Sequence, residues 1–432
     1  MGGFTNGFVG VGGHDAKYEA KIVALLCVTF GVLGLDRNLL APLFPAIMAD
    51  LHLNYAHQGA LAGALALAWG ISAALLGGLS DKVGRRKVII PAIIGFSIFS
   101  GLAGLANGFI VLLLLRILMG FTEGGYTPVA IASTVEASSK KRKGLNLGIQ
   151  QSSFALIGMA LGPIIATQLL LVVTWRWVFL ISVIPGIICA IVCHKLLLES
   201  KDIKRSDESA VQAADVLEKR PWSDVFKYRN VVLNMVALLG IMTYFFTLIA
   251  MTSTYLTDFI QYDMQTMGFV FSGMGIGGTI GVILVPAISD KIGRKFALNI
   301  SFAVAIICML LYIPQGVGAN PVVMWFLLFG MGGAAFGCLM MNTAVIPTES
   351  VPPALMASAS GLTIAVGECF GGGIGPIMAG QIAERVGLHA INYLMLGGMI
   401  FGVVVCLFMR ETAPIKTGKL YIAERLGKGI EN

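Results

Sequence analysis

Five ionisable residues lie inside long apolar stretches of this 432-residue chain. They are Asp36, Arg37, Arg116, Glu123 and Glu368, and the formal charges of the first four sum to zero. If these stretches cross a bilayer, each charge costs about 2.5–3.5 kcal/mol on insertion scales, so each residue is a functional candidate. The sequence therefore predicts a buried ion-pair network.

The spacing of these residues indicates how they could work together. Arg116 and Glu123 are seven residues apart, about two helical turns, so they share one helix face roughly 10 Å apart. Asp36 and Arg37 are adjacent, so about 100° separates them and we expect different partners for each. An incoming carboxylate that binds Arg37 would take the counter-charge of an acid, which would then bind a proton. The alternative is a structural ion pair between two helices, although four charges are an expensive way to join them.

The elements that must position these charges are membrane-spanning helices. Mean hydropathy is +0.84, 56% of residues are hydrophobic and only 12% are charged, which excludes an ordinary soluble domain. Apolar runs of about 20 residues, long enough to span a bilayer, recur along the chain. We therefore predict an all-α integral membrane protein with twelve transmembrane helices. Their expected ranges are 21–49, 56–79, 88–106, 109–134, 145–170, 176–198, 231–257, 266–288, 296–316, 321–345, 356–383 and 389–410.

Basic residues predict the orientation of these spans. An even number of crossings puts both termini on one side, and 26 of the 30 Lys and Arg residues lie at the termini or in the loops of that side. The positive-inside rule makes this side cytoplasmic. The net charge of +7 is thus a topology signal, and we expect no nucleic-acid partner. The polar stretch after helix 6 is a cytoplasmic linker.

Several function classes find no support in the sequence. It offers no nucleophile–base pair, no metal cluster and no soluble catalytic domain, so we expect neither an enzyme nor a cofactor. The seven cysteines all lie in apolar stretches and are odd in number, which indicates packing residues rather than disulfides or a metal site.

An internal repeat divides the chain into two halves. The segment LSDKVGRRK at 79–87 recurs as ISDKIGRK at 288–295, and at a nearby offset Glu136 corresponds to Glu349. The second offset also relates Gly162-Pro163 to Gly375-Pro376. Two six-helix bundles of equal orientation predict a pseudo-two-fold axis along the membrane normal, with a site between them. The predicted units are a bundle at 1–198, a linker at 199–230, a bundle at 231–410 and a tail at 411–432.

The repeated segment resembles the signature loop of the major facilitator superfamily between helices 2 and 3. That resemblance covers almost the whole chain and implies rocker-switch alternating access. It also implies a cytoplasmic gate, in which Arg86 and Arg294 reach an acid at the inner end of a neighbouring helix. The residues expected in this gate are Asp81, Arg85, Arg86, Glu136, Asp290, Arg294 and Glu349.

The Asp-Arg pair of helix 1, with Arg-x6-Glu in helix 4, resembles the anion:cation symporter branch of that family. This branch includes bacterial sugar-acid and carboxylate permeases and the sialin and vesicular glutamate transporter relatives. The resemblance implies that Arg37 binds a substrate carboxylate, that Asp36 and Glu123 carry protons, and that Arg116 holds an acid in its charged form. Helix 2 near Trp69 lacks the tyrosine associated with sugar-acid members, which weighs against a sugar acid.

Further candidates complete the expected site. Polar contacts with the substrate are expected from helix 5, and Glu368, flanked by glycines, is a fourth proton-coupling candidate. The expected substrate contacts beyond Arg37 are Gln150, Gln151, Ser152, Tyr126, Tyr244 and Asn342.

These observations predict a proton-coupled symporter that imports a small organic anion across a bacterial inner membrane as a functional monomer. The proton gradient, rather than a cofactor, would supply the energy. The alternative is a proton-driven multidrug antiporter, because 158–163 (GMALGP) partly resembles an antiporter motif. The glycine pair expected after Pro163 is missing, however, and Arg37 would repel cationic drugs.

Overall fold

The protein is an all-helical membrane protein. The computed structural model describes residues 16–76, 83–139, 142–197, 221–352 and 355–417. Eleven helices in these ranges are long and apolar enough to cross a membrane, and Tyr55–Leu76, with 22 residues or about 33 Å, is the twelfth long helix. The helices are α1 (Ala16–Leu51), α2 (Tyr55–Leu76), α3 (Arg85–Ala103), α4 (Phe109–Ala137), α5 (Lys143–Leu169), α6 (Trp175–Leu196), α7 (Arg229–Phe259), α8 (Met264–Ile292), α9 (Arg294–Tyr312), α10 (Pro321–Glu349), α11 (Ser358–Val386) and α12 (Leu388–Leu407).

The predicted helix count is confirmed, and the described helix ends lie within five residues of the expected ones. Residues 199–220 of the predicted linker lie outside the described residues, and so do residues 418–432 of the predicted tail. The linker's last part contains a short 3₁₀ helix, Trp222–Lys227, before α7 begins.

Local chemistry explains several helix ends. The carboxylate of Asp263 caps α8 by accepting the backbone N–H groups of Gln265 and Thr266. Gly84 and Gly293, the equivalent glycines of the repeated loop, have φ of +106° and +103°. Only glycine adopts this backbone region without strain, so the repeated motif needs a glycine before α3 and α9.

The internal repeat extends to helix irregularities. Both α5 and α11 contain a π-helical segment, Phe154–Leu161 and Gly367–Ile374, at the 213-residue offset found in the sequence. Each segment packs closely against the first helix of its own half. Gly158 meets the backbone of Gly34 in α1, and a Cβ at Gly158 would have no room there.

We call the side where α1 begins and α12 ends the terminal face, and the opposite side the far face. The two halves meet tightly near the far face. Gln58 in α2 donates to the Ala250 carbonyl (2.6 Å) and accepts from the Thr254 hydroxyl (2.8 Å), both in α7. Pro45 has no N–H for the Ala41 carbonyl, which instead accepts from Ser253 of the other half (2.5 Å). These bonds close the far face.

Two cavities that share wall residues lie between the halves. A central cavity of about 190 Å³ lies between the bundles. A second cavity of about 340 Å³, between α2, α4 and α11, shares the walls Trp69, Thr127, Ile131 and Ile364 with it and lies toward the terminal face. The structure is therefore closed at the far face and open toward the terminal face.

Candidate functional site

Arg37 lies beside the central cavity between two glutamates from different halves. Its Nη1 atom is 3.7 Å from Oε2 of Glu123 in α4, and its Nη2 atom is 3.4 Å from Oε2 of Glu368 in α11. All three side chains are largely withdrawn from solvent. One cation thus faces two acids, and the contact with Glu368 joins the two bundles.

Neither acid has a strong alternative partner. Both carboxylate oxygens of Glu123 are fully buried without a hydrogen-bond donor among the described residues. Glu368 lies on the π-helical segment of α11, a backbone irregularity often found at functional sites. Arg37 is therefore the nearest counter-charge of both acids, and a ligand that binds Arg37 changes the surroundings of both.

Arg116 lies farther toward the far face than Glu123, and its contacts differ from the expected pairing with an acid. Its Nη1 donates to the backbone carbonyl of Arg37 (3.2 Å), and its guanidinium lies 5.9 Å from the ring of Phe179. No described carboxylate lies within ion-pair distance of it. Arg116 therefore supports the α1 backbone at the Arg37 position instead of pairing directly with an acid.

Asp36 points away from the central cavity. Its Oδ2 accepts from the Ser97 hydroxyl (3.1 Å) in α3, beside a hydrogen bond between Ser100 and Ser182, and its Oδ1 has no described partner. Adjacent positions on α1 thus meet different partners, as the spacing predicted. The helix turns Asp36 into the first bundle, and its predicted proton-coupling role stays a prediction.

Aromatic rings dominate the wall of the central cavity. The guanidinium carbon of Arg37 lies 5.4 Å from the centroid of Trp69 in α2 and 5.5 Å from that of Phe246 in α7. Cation–π attraction of this kind orients a guanidinium between two rings. The other aromatic side chains of the wall are Phe30, Phe154, Phe245 and Phe336.

Of the three polar residues predicted to contact the substrate from helix 5, one lines the central cavity. Gln151 lines the cavity, whereas Gln150 is fully buried elsewhere and its amide atoms have no described partner. Ser152 donates to its own helix at the Ile149 carbonyl (2.9 Å). Successive residues are about 100° apart, so only one of the three faces the cavity.

Three other predicted substrate contacts do not line the central cavity, because each lies in the interior of its own bundle. Tyr126 packs against Phe30 and Phe96, with ring centroids 6.4 and 5.8 Å away. Tyr244 donates to the Met331 carbonyl (3.3 Å). Asn342 donates to the Cys338 carbonyl one turn earlier in its own helix (2.8 Å).

The predicted gate forms equivalent ion pairs within each half. Arg85 donates twice to Oε1 of Glu136 (3.2 and 2.9 Å), and Arg294 binds Glu349 (2.7 Å) and Asp290 (2.5 Å). Arg86 was expected to reach an acid of a neighbouring helix, but Arg85, one position earlier on α3, makes the contact with Glu136. Asp81 lies outside the described residues.

Sequence reasoning missed Trp69, Phe246, Thr127 and Thr343 as cavity residues. Each lies in an apolar span where aromatic and hydroxyl side chains usually pack. Only Trp69 carries a detectable signal, since an indole N–H in a span needs an acceptor.

Two bundles, closed together at one face around a cavity with charged walls, define a polytopic membrane transporter. The chain belongs to the Major Facilitator Superfamily, whose family model matches residues 26–376. It is therefore a transport protein rather than an enzyme.

Its relatives are transporters with different substrates. The "Probable 4-methylmuconolactone transporter" of Cupriavidus pinatubonensis is 28% identical over 88% of each chain. The "Cis,cis-muconate transport protein" of Acinetobacter baylyi is 24% identical over 93% of this chain and 96% of that one. The "Quinolone resistance protein NorA" of Staphylococcus aureus is 27% identical over 90% and 97%. A bacterial homolog of the lysosomal transporter Spinster, in an inward-facing crystal structure, has the same fold (TM-score 0.73, 17% identity, 91% and 97% covered).

Proposed function

We propose that this transporter is a proton-coupled symporter of a small organic anion. The observation that carries the proposal is the position of Arg37 between Glu123 and Glu368 at the wall of the central cavity. A guanidinium binds a carboxylate through two parallel hydrogen bonds, and here it is presented to a cavity between the two halves.

Charge balance supplies the coupling. When a substrate carboxylate binds Arg37, three anionic groups surround one cation in an environment of low dielectric constant. One of the two glutamates then binds a proton, so the anion and the proton are bound together. A proton on Glu368 also removes the ionic contact between α1 and α11, and the bundles can then rock apart.

The orientation and direction of transport are part of the proposal. The basic residues of the terminal face support cytoplasmic termini, so the open side faces the cytoplasm and the anion is released there during import. A bacterial inner membrane and a functional monomer complete this proposal, since both bundles of one chain build the site.

Similarity to a quinolone resistance protein favours drug efflux as a second candidate. Arg37 argues against a cationic drug, because a fixed positive charge at the cavity wall repels it. An inward proton gradient that drives export of a cationic dye, without any effect of organic anions, would favour efflux.

The test uses purified protein in liposomes. We expect an inward proton gradient to drive accumulation of radiolabelled benzoate or cis,cis-muconate above the level in protein-free liposomes, and a protonophore to abolish it. The Glu123→Gln variant should lose gradient-driven accumulation yet retain exchange of internal for external anion, because only the proton site is removed. Asp224→Asn, which removes an acid paired with Lys227 outside the spans, is the control and should behave as wild type. Accumulation that ignores the pH gradient would overturn proton coupling.

A further inference from the structure

The central cavity has an aromatic wall contributed by both halves. Phe30, Trp69 and Phe154 come from α1, α2 and α5, and Phe245, Phe246 and Phe336 come from α7 and α10. The rings contact one another within each half, with centroid distances of 5.8 Å for Phe30–Phe154 and 4.9 Å for Phe245–Phe336. Such walls favour a flat, apolar ligand body that stacks on ring faces and meets ring edges.

The volume of the central cavity matches a body of one ring. A cavity of about 150 Å³ is enough to hold benzene. The central cavity, at about 190 Å³, therefore has room for one six-membered ring and a carboxylate. A two-ring ligand would extend beyond it into the second cavity, toward the terminal face.

The charges in the wall match one carboxylate rather than two. Arg37 is the sole cation among the described residues that line the central cavity, and it already faces Glu368. Arg116 does not line this cavity; it lines a smaller cavity of about 50 Å³ on the far-face side of Arg37, which lines both. A second carboxylate on the ligand would therefore be buried without a counter-charge, which is unfavourable.

The polar side chains in the wall are poorly suited to a polyhydroxylated ligand. Thr127 donates its hydroxyl hydrogen to the Glu123 carbonyl (3.1 Å) and Thr343 donates to the Leu339 carbonyl (2.7 Å). Asn38 likewise uses its amide on the Gly34 carbonyl (2.7 Å). Most donors are thus committed to their own helices, and a sugar acid would leave hydroxyl groups without partners.

Besides the side-chain amide of Gln151, which lines the same cavity, the exception is the indole N–H of Trp69. This atom is buried and has no acceptor among the described residues, although its ring lines the cavity beside Arg37. A carboxylate or ring oxygen on a ligand held by Arg37 would satisfy it.

We infer that the substrate is a planar, single-ring aromatic monocarboxylate, with its carboxylate on Arg37 and its ring between Trp69 and Phe246. This inference rests on the proposed function and names its substrate class. Because Trp69 and Phe246 belong to different halves, the ring contacts both bundles and its binding links them.

The experiment measures binding by wild-type protein in detergent to four probes of related size and different chemistry. Benzoate is flat with one charge, cyclohexanecarboxylate is not flat, terephthalate carries a second carboxylate, and glucuronate carries hydroxyl groups. We expect benzoate to bind at least about tenfold more tightly than each of the other three, a difference of about 1.4 kcal/mol.

Variants then locate the ring. Trp69→Leu and Phe246→Leu should each weaken benzoate binding about tenfold while changing propionate binding less than about threefold, because propionate has no ring to stack. Trp69→Phe keeps a ring and removes the N–H, so it should retain part of the affinity. Phe326→Leu removes an exposed ring of α10 and is the control, with unchanged binding of both probes. Size-exclusion profiles identify any variant that misfolds. If one of Phe246→Leu and Trp69→Phe misfolds, the other still tests the position of the ring.

The outcomes separate the two proposals. If glucuronate or terephthalate binds as tightly as benzoate, or if the ring variants lower benzoate and propionate affinity equally, the aromatic assignment is overturned while anion symport stands. If no anion binds the wild-type protein or is accumulated by it, the proposed function itself fails.

Discussion

Arg37 and Glu368 lie 3.4 Å apart and form an ion pair between α1 of the first half and α11 of the second. Glu123 lies 3.7 Å from the same guanidinium but belongs to the same half as Arg37. The two acids are therefore unequal in their effect. The charge of Glu123 influences the site alone, whereas the charge of Glu368 also influences how firmly the halves are held together.

Neutralising Glu368 should raise benzoate affinity and change how that affinity depends on pH. In Glu368→Gln, a substrate carboxylate no longer competes with this acid for Arg37, so we expect benzoate affinity near neutral pH to rise about three- to tenfold. The rise should be smaller at about pH 6 than at about pH 8, because wild-type Glu368 is more often protonated in acid. Titrations at both pH values test this. An unaltered pH dependence would remove Glu368 from the proton pathway.

Substitutions of Arg37 should lower anion affinity according to how much of its charge and of its planar donor geometry they remove. Arg37→Lys keeps the charge but loses the planar pair of donors, so we expect about tenfold weaker benzoate binding. Arg37→Ala should lose at least about a hundredfold, and it leaves two buried acids unpaired, at a stability cost of about 3–5 kcal/mol. Adding Glu123→Gln to Arg37→Ala should restore part of the thermal stability but none of the binding. Recovery of benzoate binding in the double variant would contradict the assigned role of Arg37.

The ion pairs at the terminal face should affect turnover more than binding. Arg85→Gln removes both bonds to Glu136, and we expect transport to slow about tenfold with benzoate affinity within about twofold of wild type. Arg86→Gln, one position along the same helix, is the matched control and should transport at close to the wild-type rate. Arg294→Gln and Asp290→Asn test the equivalent contacts of the second half, and the sequence repeat predicts that Asp81→Asn resembles Asp290→Asn. Equal effects of Arg85→Gln and Arg86→Gln would make the loop a topology signal only.

The hydrogen bonds of Gln58 should hold the far face closed. Gln58→Leu removes its bonds to Ala250 and Thr254, so we expect the population open at the far face to grow about fivefold. In a cysteine-free background, labelling of Ala62→Cys, which lines the small cavity beside α7, reports this opening. Gln265→Leu changes an exposed glutamine at the same face and should leave the labelling rate unchanged. If both variants label alike, the Gln58 bonds do not stabilise the closed face.

The cap of α8 should contribute stability that depends on pH. A hydrogen bond from the Thr266 hydroxyl, and then the backbone N–H groups of Thr266 and Gln265, lower the pKa of Asp263. Its stabilisation is therefore complete above the unfolded pKa of about 3.9 and is lost as pH falls through the lower folded pKa. We expect Asp263→Ala to lose about 1 kcal/mol at neutral pH, and the difference in Tm from wild type to shrink below about pH 4. A difference in Tm that grows on acidification would contradict this assignment.

The sequence predicted the charged part of the site because burial of charge leaves few alternatives. Arg37, Glu123 and Glu368 were recognisable since a charge in an apolar span must find a partner or a cavity. Their mutual contact across the halves was not, because α1 and α11 are more than 300 residues apart along the chain.

The uncharged part of the site could not be read in the same way. Tyr126 and Trp69 are both aromatic residues in apolar helices, yet one packs inside a bundle and the other lines the cavity. Their directions depend on the rotation of each helix about its axis, which packing sets and composition does not reveal. Helix rotation likewise decides that Arg85, rather than its neighbour Arg86, contacts Glu136.

The paired π-helical segments have a mechanical consequence. An i→i+5 turn holds more residues than an i→i+4 turn, so each segment stores a small excess of chain within a continuous helix. Rewinding the one in α11 to ordinary α geometry would swing Glu368 around the helix axis and withdraw it from Arg37. Such a rewinding would release the ion pair between Arg37 and Glu368 without unfolding any span, and the equivalent segment of α5 would give the first bundle the same freedom.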